Sequence, residues 1–257
     1  MPGTAASLFE QELTRRGVPF SFDRETGRYK VQHGGLELFV SLDNLTRNYE
    51  RDRDSAHITG FVDAVLAAPA DRPSWEEARP SILFCLEPSD YQQPPEIRSA
   101  ISGRVDRVPV YYDEQEGTIA WIAPAQIADW GVTPEEVEAA ALGNLAAVLK
   151  DAMIEHSDID GVALGFIRTT LPFKSALILA PNLKEIVAPV LGWPLLAVIP
   201  DRDFIFLWAA KHDGFANRVG GTVVKEFSAA PYPLTTEVFE IGDEGIAAIG
   251  AFPAEKG

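Results

Sequence analysis

The turn Asp201-Arg202-Asp203 is the stretch whose residue types best suit chemistry. Two carboxylates flank a guanidinium between very apolar segments, and Lys211, His212 and Asp213 follow close behind. Carboxylates and an imidazole gathered at one point can act as acid, base or ligand. Asp201, Asp203 and His212 are therefore the candidate catalytic residues of a hydrolase-type enzyme acting on a small molecule. The same residues also spell an Asp-rich hairpin turn in which Arg202 bridges to a neighbouring carboxylate, and that is the commoner use of such a sequence.

Other chemistry-bearing residues are scattered. Cys85 is the only cysteine, which rules out an intramolecular disulfide and a cysteine-based zinc site. It lies in the apolar run Ser81-Ile82-Leu83-Phe84-Cys85-Leu86, with no base nearby to activate a thiolate, and reads as a buried, inert small hydrophobe. His33, His57, His156 and His212 include no pair three or four residues apart, so no helical metal site is predicted. Glu155, Asp158, Asp160 and Gly161 resemble part of a calcium loop, but Val162, Leu164 and Ile167 stand where further ligands belong. A helix-ending turn is the better reading there. The chain has no phosphate-cradling loop ending in Lys-Ser/Thr and no dinucleotide fingerprint. His-Glu-x-x-His and the Gly-x-Ser-x-Gly elbow are likewise missing. The expectation is no cofactor and no metal.

Several elements must position these residues. Leu8, Phe9 and Leu13 share one face of a helix over about Thr4 to Arg16, which Gly17 ends. Alternation then predicts three strands, through Val18-Phe20-Phe22, Tyr29-Val31 and Leu36 to Leu42, with turns at Glu25-Thr26-Gly27 and Gly34-Gly35. Two helices follow, one carrying Leu42, Leu45 and Tyr49, the other Ile58, Phe61, Val62, Val65 and Leu66, with Pro69 as its stop. Six prolines between Pro69 and Pro95 mark a boundary, giving residues 1–70 as a helix-meander-helix module and 71–257 as an α+β portion, unless the two form one continuous domain.

Beyond it come a strand at Ile82–Leu86 and a pair at Val108–Tyr112 and Thr118–Ile122, turning at Glu116-Gly117. Thr133-Pro134-Glu135-Glu136 is a capping box opening a long helix buried along Val137, Ala141, Leu145, Val148, Leu149 and Ala152. Strands near Val162–Ile167, Leu195–Ile199 and Phe204–Trp208, a helix over Phe215–Phe227 and a hairpin at Gly242-Asp243-Glu244-Gly245 complete the chain. Hairpins outnumber strand-helix-strand patterns, so the predicted fold is α+β, with mainly antiparallel sheets and helices on one face.

Charge narrows the partners. Thirty-eight acidic against 22 basic side chains give a net charge of −16, which repels phosphate backbones and anionic membranes. The densest basic stretch, Arg47, Arg51 and Arg53, is interleaved with Asp43, Glu50, Asp52 and Asp54 and reads as a solvated helix face. Trp121, Trp130, Trp193 and Trp208 lie in or beside apolar elements without the basic neighbours of a stacking platform. No nucleic-acid or membrane partner is expected. Residues 1–16 lack the apolar run of a secretory signal, and Ser175–Pro200 is broken by charges and prolines. The expected location is cytoplasmic.

The segments LELFVSLDNLTRNY (36–49), VPVYYD (108–113), WGVTPEEVEAAALGNL (130–145), GWPLLAVIPDRDFIF (192–206) and PLTTEVF (233–239) resemble, in order and spacing, the YtpQ-like family of bacterial proteins, whose function is unknown. The resemblance spans nearly the whole chain and implies a bacterial cytoplasmic protein, with no activity, cofactor or catalytic residue attached. Family members carry an aspartate-glycine-tyrosine-like segment before the last sheet. Here residues 165–180 read GFIRTTLPFKSALILA, so any role of that segment is not carried over. The layout from Leu8 to Leu66 also looks like that of small acidic secretion chaperones, which bind unfolded partner segments. Together these readings predict a non-enzymatic, chaperone-like module that binds a protein partner through a sheet face or edge. The hydrolase-type site at Asp201, Asp203 and His212 is the alternative.

Overall fold

The computed structural model describes residues 3–24, 26–34, 36–66, 73–91, 96–115 and 117–253. The turn residues Glu25, Gly35 and Glu116 and the helix stop at Pro69 lie outside the described residues. The chain's contacts divide it into two compact units, Met1–Ser74 with Tyr112–Ile119, and Trp75–Tyr111 with Ala120–Gly257.

The first unit opens with helix α1 (Ala5–Arg15), nucleated where Thr4 Oγ1 accepts the Ser7 N–H at 3.2 Å. It ends at Gly17, whose φ of 70° suits a residue without Cβ. Strands β1 (Phe20–Asp23), β2 (Arg28–His33) and β3 (Leu36–Val40) form an antiparallel meander, and helices α2 (Asp43–Asp52) and α3 (Ala56–Leu66) follow. The register sets Phe20, Val31 and Leu38 in one row and Phe22, Tyr29 and Val40 in the next, all on the face that meets α1. Phe9, Leu13, Tyr29, Val31, Leu45, Ile58 and Val62 form the buried centre, with Phe9 standing edge-on to Tyr29 at 5.1 Å.

The second unit begins with the short helix α4 (Trp75–Ala78) and strand β4 (Ile82–Pro88), then β5 (Ser99–Ala100), β6 (Val105–Asp113) and β7 (Thr118–Trp121), of which Tyr112–Ile119 count with the first unit. Strands β4 and β5 flank β6, and β7 also pairs with β6. Helices α5 (Pro124–Trp130) and α6 (Pro134–Asp151) come next. The capping box of α6 is formed, with the Thr133 N–H donating to Glu136 at 2.8 Å and the Glu136 N–H donating to Thr133 Oγ1 at 3.3 Å. Asn144 on α6 donates to the carbonyls of Arg79 and Ile82, tying the helix to the start of β4.

The rest is built on one larger sheet. Strands β8 (Met153–Ile159) and β9 (Val162–Arg168) form a hairpin, followed by a 3-10 segment (Lys174–Leu179), helix α7 (Leu183–Leu191) and the hairpin β10 (Leu195–Asp201) and β11 (Phe204–Ala209). A second 3-10 segment (Ala210–Phe215), helix α8 (Ala216–Ala229) and the hairpin β12 (Glu237–Gly242) and β13 (Gly245–Ala251) complete it. The six strands run in the order β13-β12-β10-β11-β9-β8, every neighbour antiparallel.

The fold is α+β with antiparallel sheets, but helices cover both faces of the large sheet rather than one. Leu196, Val198, Phe206, Trp208 and Val238 point to one face and pack with Val219 and Val223 of α8. Leu195, Ala197, Ile199 and Leu207 alternate to the other face and are equally buried. There α7 comes so close that a Cβ on Gly165 would stand 2.2 Å from Leu191. Strand β10 consequently reads as a continuous apolar run, the pattern of a strand covered on both sides. The region around Glu155 and Asp158 also departs from expectation. Helix α6 ends at Asp151 and the chain passes straight into β8, while Asp158 caps the hairpin turn by accepting the Gly161 N–H.

Candidate functional site

The Asp201-Arg202-Asp203 turn joins β10 to β11 and sends its three side chains to three destinations. Asp201 is buried, and both oxygens accept backbone N–H groups, one from Asp203 at 2.6 Å and one from Tyr232 at 3.1 Å. Backbone bonds extend the knot, since the Arg202 N–H donates to Tyr232 O and its carbonyl accepts from Ser175. Asp201 thus stitches the turn to the segment leading into β12, which is the local use that short carboxylates favour.

Arg202 points inward. Its Nη1 lies 3.3 Å from Glu87 Oε1 on β4, and the guanidinium sits 4.2 Å above the Tyr232 ring. Side-chain exposure is 14% for Arg202 and 6% for Glu87, so this is a buried ion pair. Cys85 Sγ stands 3.7 Å from the same Glu87 oxygen. Burial, with the neighbouring Glu87 carboxylate adding to it, pushes the Cys85 thiol well up. That is the opposite of what a nucleophilic thiolate requires.

Asp203 points outward and stands 3.1 Å from Lys174 Nζ. Its carboxyl is raised, chiefly by burial, with Lys174 opposing the shift. Together they border a cleft of about 380 Å3 that is also lined by Glu155, Phe166, Arg168 and Phe204, with His156 at its side. The cleft lies beside a weak seam of the sheet. The ladder between β9 and β11 is a single registered pair, Leu207 opposite Gly165, and the cleft is lined by the ends of these two strands beyond it, by the middle of β8 and by Lys174 of the 3-10 segment. Phe166 and Phe204 each stand edge-on to Phe206, at 5.2 and 4.5 Å, giving the cleft an aromatic wall. Arg168 Nε donates to Glu155 at 2.7 Å across the β8–β9 hairpin.

His212 belongs to the 3-10 segment that follows β11. Six strand residues separate it from Asp203, a span of about 20 Å. Asp201, Asp203 and His212 are therefore not brought together: one caps a turn, one faces the cleft and one lies past the far end of the strand. Among the described residues, no group of three or more His, Cys, Asp or Glu side chains could hold a metal ion.

A surface feature that sequence reasoning passed over is β13, at one edge of the six-stranded sheet. Its sequence, GIAAIGA, has no charge and no proline, and six of its seven positions are exposed. Ile249 is 55% exposed. The apolar run itself was visible, but nothing local says that a strand will be last in the sheet.

No protein-family model matches the chain, and neither a curated protein nor a solved structure resembles it detectably. Among the described residues, no helix is long and apolar enough to cross a membrane.

Proposed function

We propose that this chain is a non-enzymatic protein-binding module of the bacterial cytoplasm, chaperone-like in that it takes up an extended segment of a partner along β13. The observation that carries this reading is the seven-residue, uncharged, solvent-facing edge. An edge strand offers a row of N–H and C=O groups to any extended chain, and proteins ordinarily blunt such edges with lysine, proline or a short strand. Here none of these is used. The one irregularity is a bulge, since Val238 pairs with Gly250 and Phe239 with Ala248, leaving Ile249 as the extra residue. A bulge discourages indiscriminate pairing while projecting Ile249 as an anchor.

Charge indicates the partner's chemistry. The edge is a neutral strip on a chain of net charge −16. Exposed Glu240 lies directly opposite Ala247, and Glu244 sits at the hairpin turn. A partner segment with apolar residues flanked by lysine or arginine fits both features. The YtpQ-like resemblance belongs to the same reading and adds no activity to it.

The test compares tagged wild-type protein with Ile249→Lys, first shown by circular dichroism to be folded. A partner should co-purify with the wild type and be lost from the variant, and amides 246–251 should gain exchange protection in the complex. Equal recovery of the partner by both proteins would overturn the proposal, as would protection that leaves β13 untouched.

A further inference from the structure

We propose that the cleft beside the β9–β11 seam binds a small zwitterion with an apolar side chain, of the class of a free aromatic α-amino acid. This site is separate from β13, and it stands or falls independently of the partner-binding reading.

Size comes first. The cleft measures about 380 Å3, within the roughly 300–1,000 Å3 typical of small-ligand sites and toward its lower end. A peptide strand would overfill it, whereas one amino acid would not. Charge comes next. Arg168 and Lys174 supply two cations, Glu155 and Asp203 two anions, so the cleft is balanced within a strongly acidic chain. A simple anion would confront two carboxylates and a simple cation two basic groups. A molecule carrying both charges a few ångströms apart satisfies each.

Although these groups pair with one another, they keep capacity for a ligand. Arg168 is 72% exposed and spends only Nε on Glu155, so among the described residues its two Nη groups keep their donors open. Such a fork grips a carboxylate bidentately. Lys174 is mostly buried beside it and holds its charge in place against Asp203. The Asp203 side chain, 48% exposed and paired with Lys174 through Oδ1, keeps lone pairs that can accept from an ammonium. Phe166 and Phe204 then offer an apolar wall to the ligand's side chain. An aromatic ring stacked there gains from edge-to-face contact beyond simple area burial.

The experiment titrates the full chain with L-phenylalanine and follows its amide and arginine side-chain NMR signals. N-acetyl-L-phenylalanine, which lacks the ammonium, and phenethylamine, which lacks the carboxylate, serve as one-charge comparisons. Saturable shifts should localise to residues 166–168, 174 and 203–205, and each one-charge analogue should bind at least about tenfold more weakly. Arg168→Gln alters an exposed side chain and leaves the fold intact. It should weaken phenylalanine by a similar factor while leaving phenethylamine unchanged. The proposal is overturned by the absence of saturable shifts at tens of millimolar ligand, by one-charge analogues that bind as well as phenylalanine, or by an Arg168→Gln protein that binds unchanged.

Discussion

Glu87 and Arg202 face each other at 3.3 Å in a part of the protein where water cannot compensate either charge. Truncating one partner of such a pair strands the other, which costs about 3–5 kcal/mol, whereas replacing both by apolar or neutral groups is far milder. Arg202→Met should therefore lower the urea unfolding free energy by about that amount, and the double variant Glu87→Gln with Arg202→Met should recover most of it. Equal losses in the single and double variants would show that the pair contributes only packing. Cys85 was legible as inert from its apolar neighbours alone. Its contact with Glu87 was also local, two residues along the same strand. Arg202 was different: a bridge to some carboxylate could be anticipated, but not which one, because Glu87 lies 115 residues away in sequence.

Elements explain why the large sheet tolerates cover on both faces. Gly165, opposite Leu207, leaves the space that Leu191 of α7 fills, and a methyl group at that position would fall 2.2 Å from the leucine side chain. Gly165→Ala should cost about 1–3 kcal/mol through overpacking, measured by thermal or denaturant unfolding. Adding Leu191→Ala should restore part of the loss, since the new methyl then occupies space the leucine vacates, and the coupling in a double-mutant cycle should be favourable. Strictly additive losses would mean α7 shifts freely against the sheet. Helices α1, α3 and α6 were readable because their apolar stripes and caps are local signals. Strand β8 and helix α7 were not. The former alternates polar residues on an edge, and the latter carries Pro189 inside an apolar run that periodicity alone does not resolve.

Across the whole molecule, acid should act unevenly on the two units. In the first, Arg15 and Arg16 hold the Glu12 carboxyl down to about 2, and His57, with the Asp54 backbone, does the same for Asp52. A carboxyl depressed in the folded state adds stability that is complete above its unfolded value and is lost as pH falls through the folded one. For Glu12 that window runs from 4.5 down to about 2. In the second unit Asp243 is also lowered, by Lys184 and Trp193, but Asp203 is raised by burial and has the opposite sign. Acidification through this window should therefore loosen the first unit, seen as faster amide exchange in α1 and α2. Glu12→Gln should flatten the pH dependence of that unit's stability, and an unchanged slope would refute the assignment.

The sequence by itself determined the α+β class, the helix-meander-helix opening, the capped α6 and the hairpins, because each rests on residues near one another in the chain. It also determined the net charge of −16. Only the tertiary structure decided that Asp201, Arg202 and Asp203 diverge, that Lys174 and Arg168 meet Asp203 and Glu155 around one cleft, and that β13 ends a sheet. Strand order and side-chain convergence depend on pairings between distant segments. Periodicity tells which face of a strand is apolar, but not which neighbour will cover it or whether any neighbour will come.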